Sequence, residues 1–316
     1  MKNRRIIFLL KPFDKPFGGA GVLYKHVDLL NQHGFDAFIA LSEKPSVDYY
    51  DFNIPLLIHN DSIELEPSDI CVIPEVFPDY MEALRSIRAK KIMFCQNQYY
   101  LPFKQNPEIG ILEYPVDSFI VSSEALRTFF YDVYGIANIP LIPYAIDTQV
   151  YVSVQNKVRQ IAFMPRKLPA EAKFIEATFK RMYERYSKIP WVSIDNTSMK
   201  RSAEIMGESE IFLSLSHQES FGLPPLEAMS CGCLVVGFHG DGGREYMNNG
   251  NGWWAETGDW RACVHGLASA LDLVEMGGEE LLLMKTKMAQ TVNKYSPERM
   301  EQELLKYWED EIKIPF

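Results

Sequence analysis

Glu219 and Glu227 stand eight positions apart in the stretch IFLSLSHQESFGLPPLEAMSCGCLVVG, residues 211–237. The apolar run Ile211 to Leu215 reads as a buried strand that ends in Ser216, His217 and Gln218. A turn, Glu219-Ser220-Phe221-Gly222-Leu223, follows, and Pro224-Pro225 opens a short helix that carries Glu227 and stops at Gly232. Leu234-Val235-Val236 then begins the next strand. Proline in the first helical turn and glycine just past the last one is the asymmetry of real helices. Both carboxylates therefore lie near a helix N-terminus, where unpaired N–H groups and a partial positive charge can seat a phosphate. Gly222 lets the backbone approach a ligand where a Cβ would collide.

The elements that must position this unit follow one pattern along the whole chain: short β-rich runs alternate with helical stretches, as in a parallel sheet covered by helices. Strands are expected at Arg5–Leu10, Ala37–Leu41, Ile70–Ile73, Lys91–Cys95 and Ser118–Val121. Lys11–Gly21 reads as a long Pro- and Gly-rich loop, Gly21–His33 as a helix stopped by Gly34, and Asp79–Arg88 as a second helix. Ser122 or Ser123 caps a helix that runs through Tyr134 and ends at Gly135. The pattern restarts near Ile142–Asp147, with strands at Gln160–Met164 and Trp191–Ile194 and helices near Ala170–Tyr186 and Arg201–Gly207. The tail from Asp259 is helical, with breaks at Gly277-Gly278 and Ser296-Pro297. The expectation is an α/β chain of two Rossmann-like domains, 1–145 and 146–296, with parallel sheets facing a cleft.

The segment around Glu219 resembles the E-x7-E signature of retaining GT-B glycosyltransferases, and of glycosyltransferase family 4 (group 1) in particular. The resemblance implies that Glu219 sits at the donor sugar, that Ser220, Phe221, Gly222 and Leu223 form the donor loop, and that Glu227 holds the ribose hydroxyls. It also implies a last helix, 297–316, that crosses back to the first domain, and a metal-free mechanism with no cofactor beyond the nucleotide-diphosphate sugar donor. Such a site must neutralise a leaving diphosphate with cations and N–H groups. Arg166 stands where the family carries an arginine, at the end of the second half's first strand. The family's lysine five residues later is here Glu171, so Lys167 or Lys173 must supply the second cation, with Lys167 favoured by its place in the strand-end loop. Gly18 and Gly19 match the N-terminal glycine loop, and Gly242, Gly243 and Glu245 a second glycine loop beside the donor.

A second departure concerns the first domain. Where family members often place a histidine, this chain has Gln96 and Asn97, amides that can hydrogen-bond sugar hydroxyls but cannot exchange protons near neutral pH. His217 is a further candidate sugar contact, and His239 follows the next strand. Tyr49-Tyr50 and Tyr99-Tyr100 are either stacking platforms for a sugar or packing residues. The leading expectation is sugar transfer to an unidentified acceptor. The alternatives are a non-catalytic nucleotide-sugar-binding subunit and a sugar-nucleotide epimerase of the same shape.

Composition narrows the partners. With a net charge of −10 the chain has no general attraction to nucleic acid or anionic lipid. Arg85, Arg88, Lys90 and Lys91 read as a solvated helix end. The apolar run Ile6–Leu10 is too short for an export signal or a membrane span, and no other segment reaches spanning length. The five cysteines lack zinc or disulfide spacing and read as small buried hydrophobes. A cytoplasmic setting is expected, peripheral to the membrane if the acceptor is lipid-linked.

Overall fold

The computed structural model describes residues 4–13, 18–44, 52–59, 63–101 and 111–314. The chain divides into two compact units, one of residues 1–144 with 300–316 and the other of residues 145–299. In the first, β1 (Arg5–Leu9), β2 (Asp36–Leu41), β3 (Leu56–Ile58), β4 (Ile70–Pro74), β5 (Lys90–Cys95) and β6 (Ser118–Val121) form a sheet in the order β3-β2-β1-β4-β5-β6. Every pair is parallel. Helices α1 (Gly18–Gln32), α2 (Pro78–Ala83) and α3 (Glu124–Tyr134) connect these strands. A parallel sheet covered on both faces needs strands that are apolar throughout, and Ile6 to Leu9 and Ile70 to Ile73 are all buried. Ser123 caps α3 by accepting the Leu126 N–H, and Gly135 ends it at φ 68°.

The second unit repeats the plan with β7 (Val158–Phe163), β8 (Trp191–Ser193), β9 (Ser209–Glu219), β10 (Leu234–Asp241) and β11 (Trp253–Ala255), in the order β11-β10-β9-β7-β8 and again all parallel. Its helices are α4 (Pro169–Met182), α5 (Met199–Glu208), α6 (Leu223–Ser230), α7 (Trp260–Met276) and α8 (Gly278–Asn293). The last helix, α9 (Pro297–Glu311), belongs from Met300 onward to the first unit. There Trp308 packs on Phe8, with ring centroids 6.2 Å apart, and Glu311 pairs with Lys90. All five cysteines are free and buried. Among the described residues no helix is long and apolar enough to cross a membrane.

Several expectations need correction. Gly18 and Gly19 do not lie in a loop: they form the first turn of α1. Strand β9 does not end at Leu215 but runs to Glu219, because β10 keeps pairing with it across a bulge as far as Asp241. Helix α2 stops at Ala83, and Lys90 and Lys91 belong to β5 rather than to a helix end. Lys91 is buried, with its ammonium donating to the carbonyls of Ile87 and Ala89. The pair Tyr49-Tyr50 and the loop residues 14–17 lie outside the described residues.

In both sheets the chain reverses direction across the sheet at one place, between β1 and β4 in the first unit and between β7 and β9 in the second. At such a switch the neighbouring loops leave in opposite directions and open a crevice beyond the carboxyl ends of the strands, where ligands of doubly wound sheets bind.

Candidate active site

Lys167 follows β7 and Glu219 ends β9, so the two flank the switch of the second sheet. They meet there: Lys167 Nζ lies 2.7 Å from Glu219 Oε1. The same ammonium donates to the carbonyl oxygens of His217 (2.9 Å) and Gln218 (3.2 Å). One cation thus gathers the turn that carries Glu219, and Gln218 adopts a left-handed φ of 50° within it. Lys173, by contrast, is exposed on α4 and makes no ion pair among the described residues, so the geometry selects Lys167 as the partner of Glu219. Arg166 is also exposed, with no recorded partner among the described residues.

Helix α6 begins at Leu223 after Gly222, which takes φ 84°. That positive φ, rather than close packing, is why glycine stands there: an added Cβ would sit 3.6 Å from its nearest neighbours, an ordinary contact. Gly242 is the opposite case. A Cβ there would fall 1.9 Å from the backbone carbon of Ser220, so the second glycine loop presses directly on the donor-loop candidate. Phe221 is buried with its ring against Tyr246 (5.2 Å) and Tyr295 (5.0 Å), and the Tyr246 hydroxyl donates to the Gly222 carbonyl. Ser220 is buried as well. These side chains are anchors, which leaves the backbone of the turn as the surface a ligand can use.

Glu227, on the second turn of α6, accepts a hydrogen bond from the Tyr151 hydroxyl. Burial pushes its carboxyl up to about 7, against the opposing pull of that hydrogen bond. Tyr151 is itself raised, by burial first and by the nearby Glu227 charge second. His239 stands at the end of β10, where its Nδ1 accepts the Asp241 N–H at 3.0 Å. Its Nε2 lies 3.1 Å from a Glu256 oxygen, but without hydrogen-bond alignment. Asp241 adopts φ 80° and ψ −68°, a costly backbone state for a residue with a Cβ, and pairs in register with Glu219.

The first unit gathers its own candidates at its own switch. Gln96, after β5, donates from Nε2 to the Gly19 carbonyl at 3.2 Å. Asn97 is 5% exposed and its Oδ1 accepts the Tyr99 N–H, so its side chain braces the turn. The structure therefore assembles Lys167, Glu219 and the 217–223 turn in one unit, and Gly18, Gly19, Gln96 and Asn97 in the other. Sequence reasoning missed Tyr151 and Tyr246, and noted His239 after its strand without giving it a role. Only a carboxylate or histidine directly after an apolar strand carried any signal, as at Phe238-His239; the two tyrosines carried none.

Comparison with known proteins bears on the family and the fold. The family described as glycosyl transferases group 1 matches residues 192–277, the segment that holds Glu219 and Glu227. A glycosyltransferase from Rickettsia africae ESF-5 superposes with a TM-score of 0.72 at 15% identity and covers 100% of both chains. An Anabaena protein, HepE, in complex with UDP-glucose gives 0.72 at 14% identity over 97% of this chain and 99% of that one. These likenesses, with the two parallel α/β units, define the class as GT-B. An alpha-1,6-glucosyltransferase of Actinobacillus pleuropneumoniae serotype 7 (strain AP76) is 30% identical over 267 residues, 81% of this chain and 80% of the relative. The chain belongs to the group 1 glycosyltransferases and is a glycosyltransferase.

Proposed function

We propose that the protein transfers a hexose from a nucleotide-diphosphate sugar to a hydroxyl of an acceptor, with retention of anomeric configuration and without a metal ion. The observation that carries this reading is the pairing of Lys167 with Glu219 at the strand switch, beside the N-terminus of α6. The donor's diphosphate lies over that helix N-terminus and is neutralised by Arg166 and Lys167. Glu227 accepts hydrogen bonds from the ribose, and Glu219 orients the hydroxyls of the donor sugar.

In the reaction the bond from the anomeric carbon to the phosphate oxygen breaks and a bond to the acceptor oxygen forms on the same face. The acceptor's proton passes to the departing phosphate oxygen, whose charge the two cations have been holding. Glu219 is not a nucleophile in this scheme, in contrast to retaining glycosidases with their paired flanking carboxylates. A glucosyl donor is supported by the Actinobacillus relative, and a uridine nucleotide by the UDP-glucose bound to the Anabaena structure. Five unpaired buried cysteines support a reducing, cytoplasmic setting.

A melting-temperature screen against uridine, guanosine and adenosine diphosphate sugars tests the donor assignment. A ligand that binds only the native state at a hundredfold excess over Kd adds about 2.7 kcal/mol of stability. UDP-glucose is expected to raise the melting temperature most, and the rise is expected to vanish in Arg166→Ala. No shift with any nucleotide sugar would remove the reading.

A further inference from the structure

Glu75 takes no part in the chemistry set out above, yet it is among the most buried charged side chains of the first unit, at 2% exposure. It directly follows β4, so it lies at the switch of the first sheet together with the start of α1 and the end of β5. Its Oε1 accepts the Asn97 N–H at 2.9 Å and the Gln96 N–H acts on the same carboxylate, while the N–H of Glu75 itself donates to the Phe94 carbonyl of β5 at 3.3 Å. Among the described residues no cation acts on it. A buried carboxyl held by amides alone is a poor stabilising device, since burial penalises its charge and no opposite charge compensates. What it does achieve is geometric: the N–H groups of Gln96 and Asn97 meet one side chain, which defines the turn after β5. From that turn Gln96 reaches across to the Gly19 carbonyl, while its own Oε1 is buried without a partner.

We propose that Glu75 is a positioning residue for sugar transfer: its carboxylate holds the Gln96–Asn97 turn and, through Gln96, the Gly18–Gly19 turn that opens α1. This rests on the reading of the protein as a transferase whose first unit takes part in the reaction. Protonation of Glu75 removes the charge that strengthens these hydrogen bonds and puts an O–H on one of its two oxygens, so the N–H groups are held more weakly and the turn loosens. Burial raises this carboxyl to about 7, so the change falls within the working range of pH. The neighbouring Cys95, Tyr80 and His26 are shifted away from that range by burial. Cys95 on β5 is raised well above its ordinary value by burial, and Tyr80 on α2 is also raised. His26 on α1 is lowered to about 3, and Lys11, after β1, is paired with Asp79 of α2. Tyr144 donates its hydroxyl to the Gln96 carbonyl.

The test is kcat at saturating UDP-glucose, read as nucleotide release from about pH 5.5 to about pH 8.5. Saturation holds Glu227 in its ribose-bound form, so its titration drops out of kcat. Wild type is expected to lose kcat on the acid side with a midpoint near 7. Glu75→Gln is expected to lower kcat about tenfold at the alkaline end and to abolish the acid-side fall. Gln96→Ala, which leaves the buried carboxyl in place, is expected to flatten the profile in the same way, and the double variant to be no worse than the poorer single one. It also carries the test alone if Glu75→Gln does not fold. An acid limb unchanged in both variants, or additive losses, overturns the proposal. Absence of turnover in wild type instead overturns the transferase reading, and the two failures are thereby distinct.

Discussion

Glu219→Ala and Arg166→Ala are each expected to lower sugar transfer about a hundred- to a thousandfold while the far-ultraviolet circular dichroism stays that of wild type. The magnitude follows from where the charge goes. Breaking the anomeric bond leaves a full additional charge on the diphosphate, and groups fixed in advance around it stabilise the transition state more than the ground state. Arg166 is exposed and among the described residues makes no hydrogen bond or ion pair that the fold depends on, so its removal leaves the unit intact and takes away only the cation. Glu219 is partly buried and tied to Lys167, with side-chain exposures of 26% and 20%. Its removal frees the ammonium, which still has the His217 and Gln218 carbonyls to hold it. The loss therefore falls on donor orientation rather than on the turn. Wild-type rates in both variants would show that the chemistry lies elsewhere.

Glu227→Gln is expected to move stability and binding in opposite directions. The folded carboxyl is raised from 4.5 to about 7 by burial. A folded value above the unfolded one means that stability is fully present below about 4.5 and is lost as pH rises through about 7. At pH 8 wild type thus bears a cost on the order of 2–3 kcal/mol that an uncharged glutamine does not bear. The variant should melt roughly 5 °C higher at pH 8, with the gain gone at pH 4.5. Its affinity for the donor should fall about ten- to a hundredfold, because hydrogen bonds from the ribose to a charged acceptor are worth more than those to an amide. Glutamine keeps an oxygen for the Tyr151 hydroxyl, so that contact does not confuse the result. A variant that melted lower at pH 8, or bound the donor unchanged, would remove Glu227 from the ribose.

Much of this was legible in the sequence, and the reasons are local. Pro224-Pro225 and Gly232 punctuate α6, Ser123 and Gly135 punctuate α3, and apolar runs mark the buried strands. These signals lie within a few residues of what they specify. Gly18 and Gly19 were misplaced because two glycines weigh against a helix, a preference that tertiary packing against Gln96 overrides. Strand β9 appeared to end at its polar residues because pairing with β10, which carries it to Glu219, is a contact across the chain. The same limit hid Tyr151 from Glu227 and Lys167 from Glu219: each is a contact between residues far apart in the chain. Glu75 escaped notice because an acid after a strand reads as a solvated loop residue; only burial and the backbone amides of the turn after β5 distinguish it.

The most direct measurement is a proton NMR time course of UDP-glucose with the protein and a glucose-terminated acceptor, with no added metal. The account predicts free UDP in step with a new glucoside whose anomeric coupling matches that of the donor. An isomerised nucleotide sugar, a product of inverted configuration, or an unchanged spectrum would contradict it.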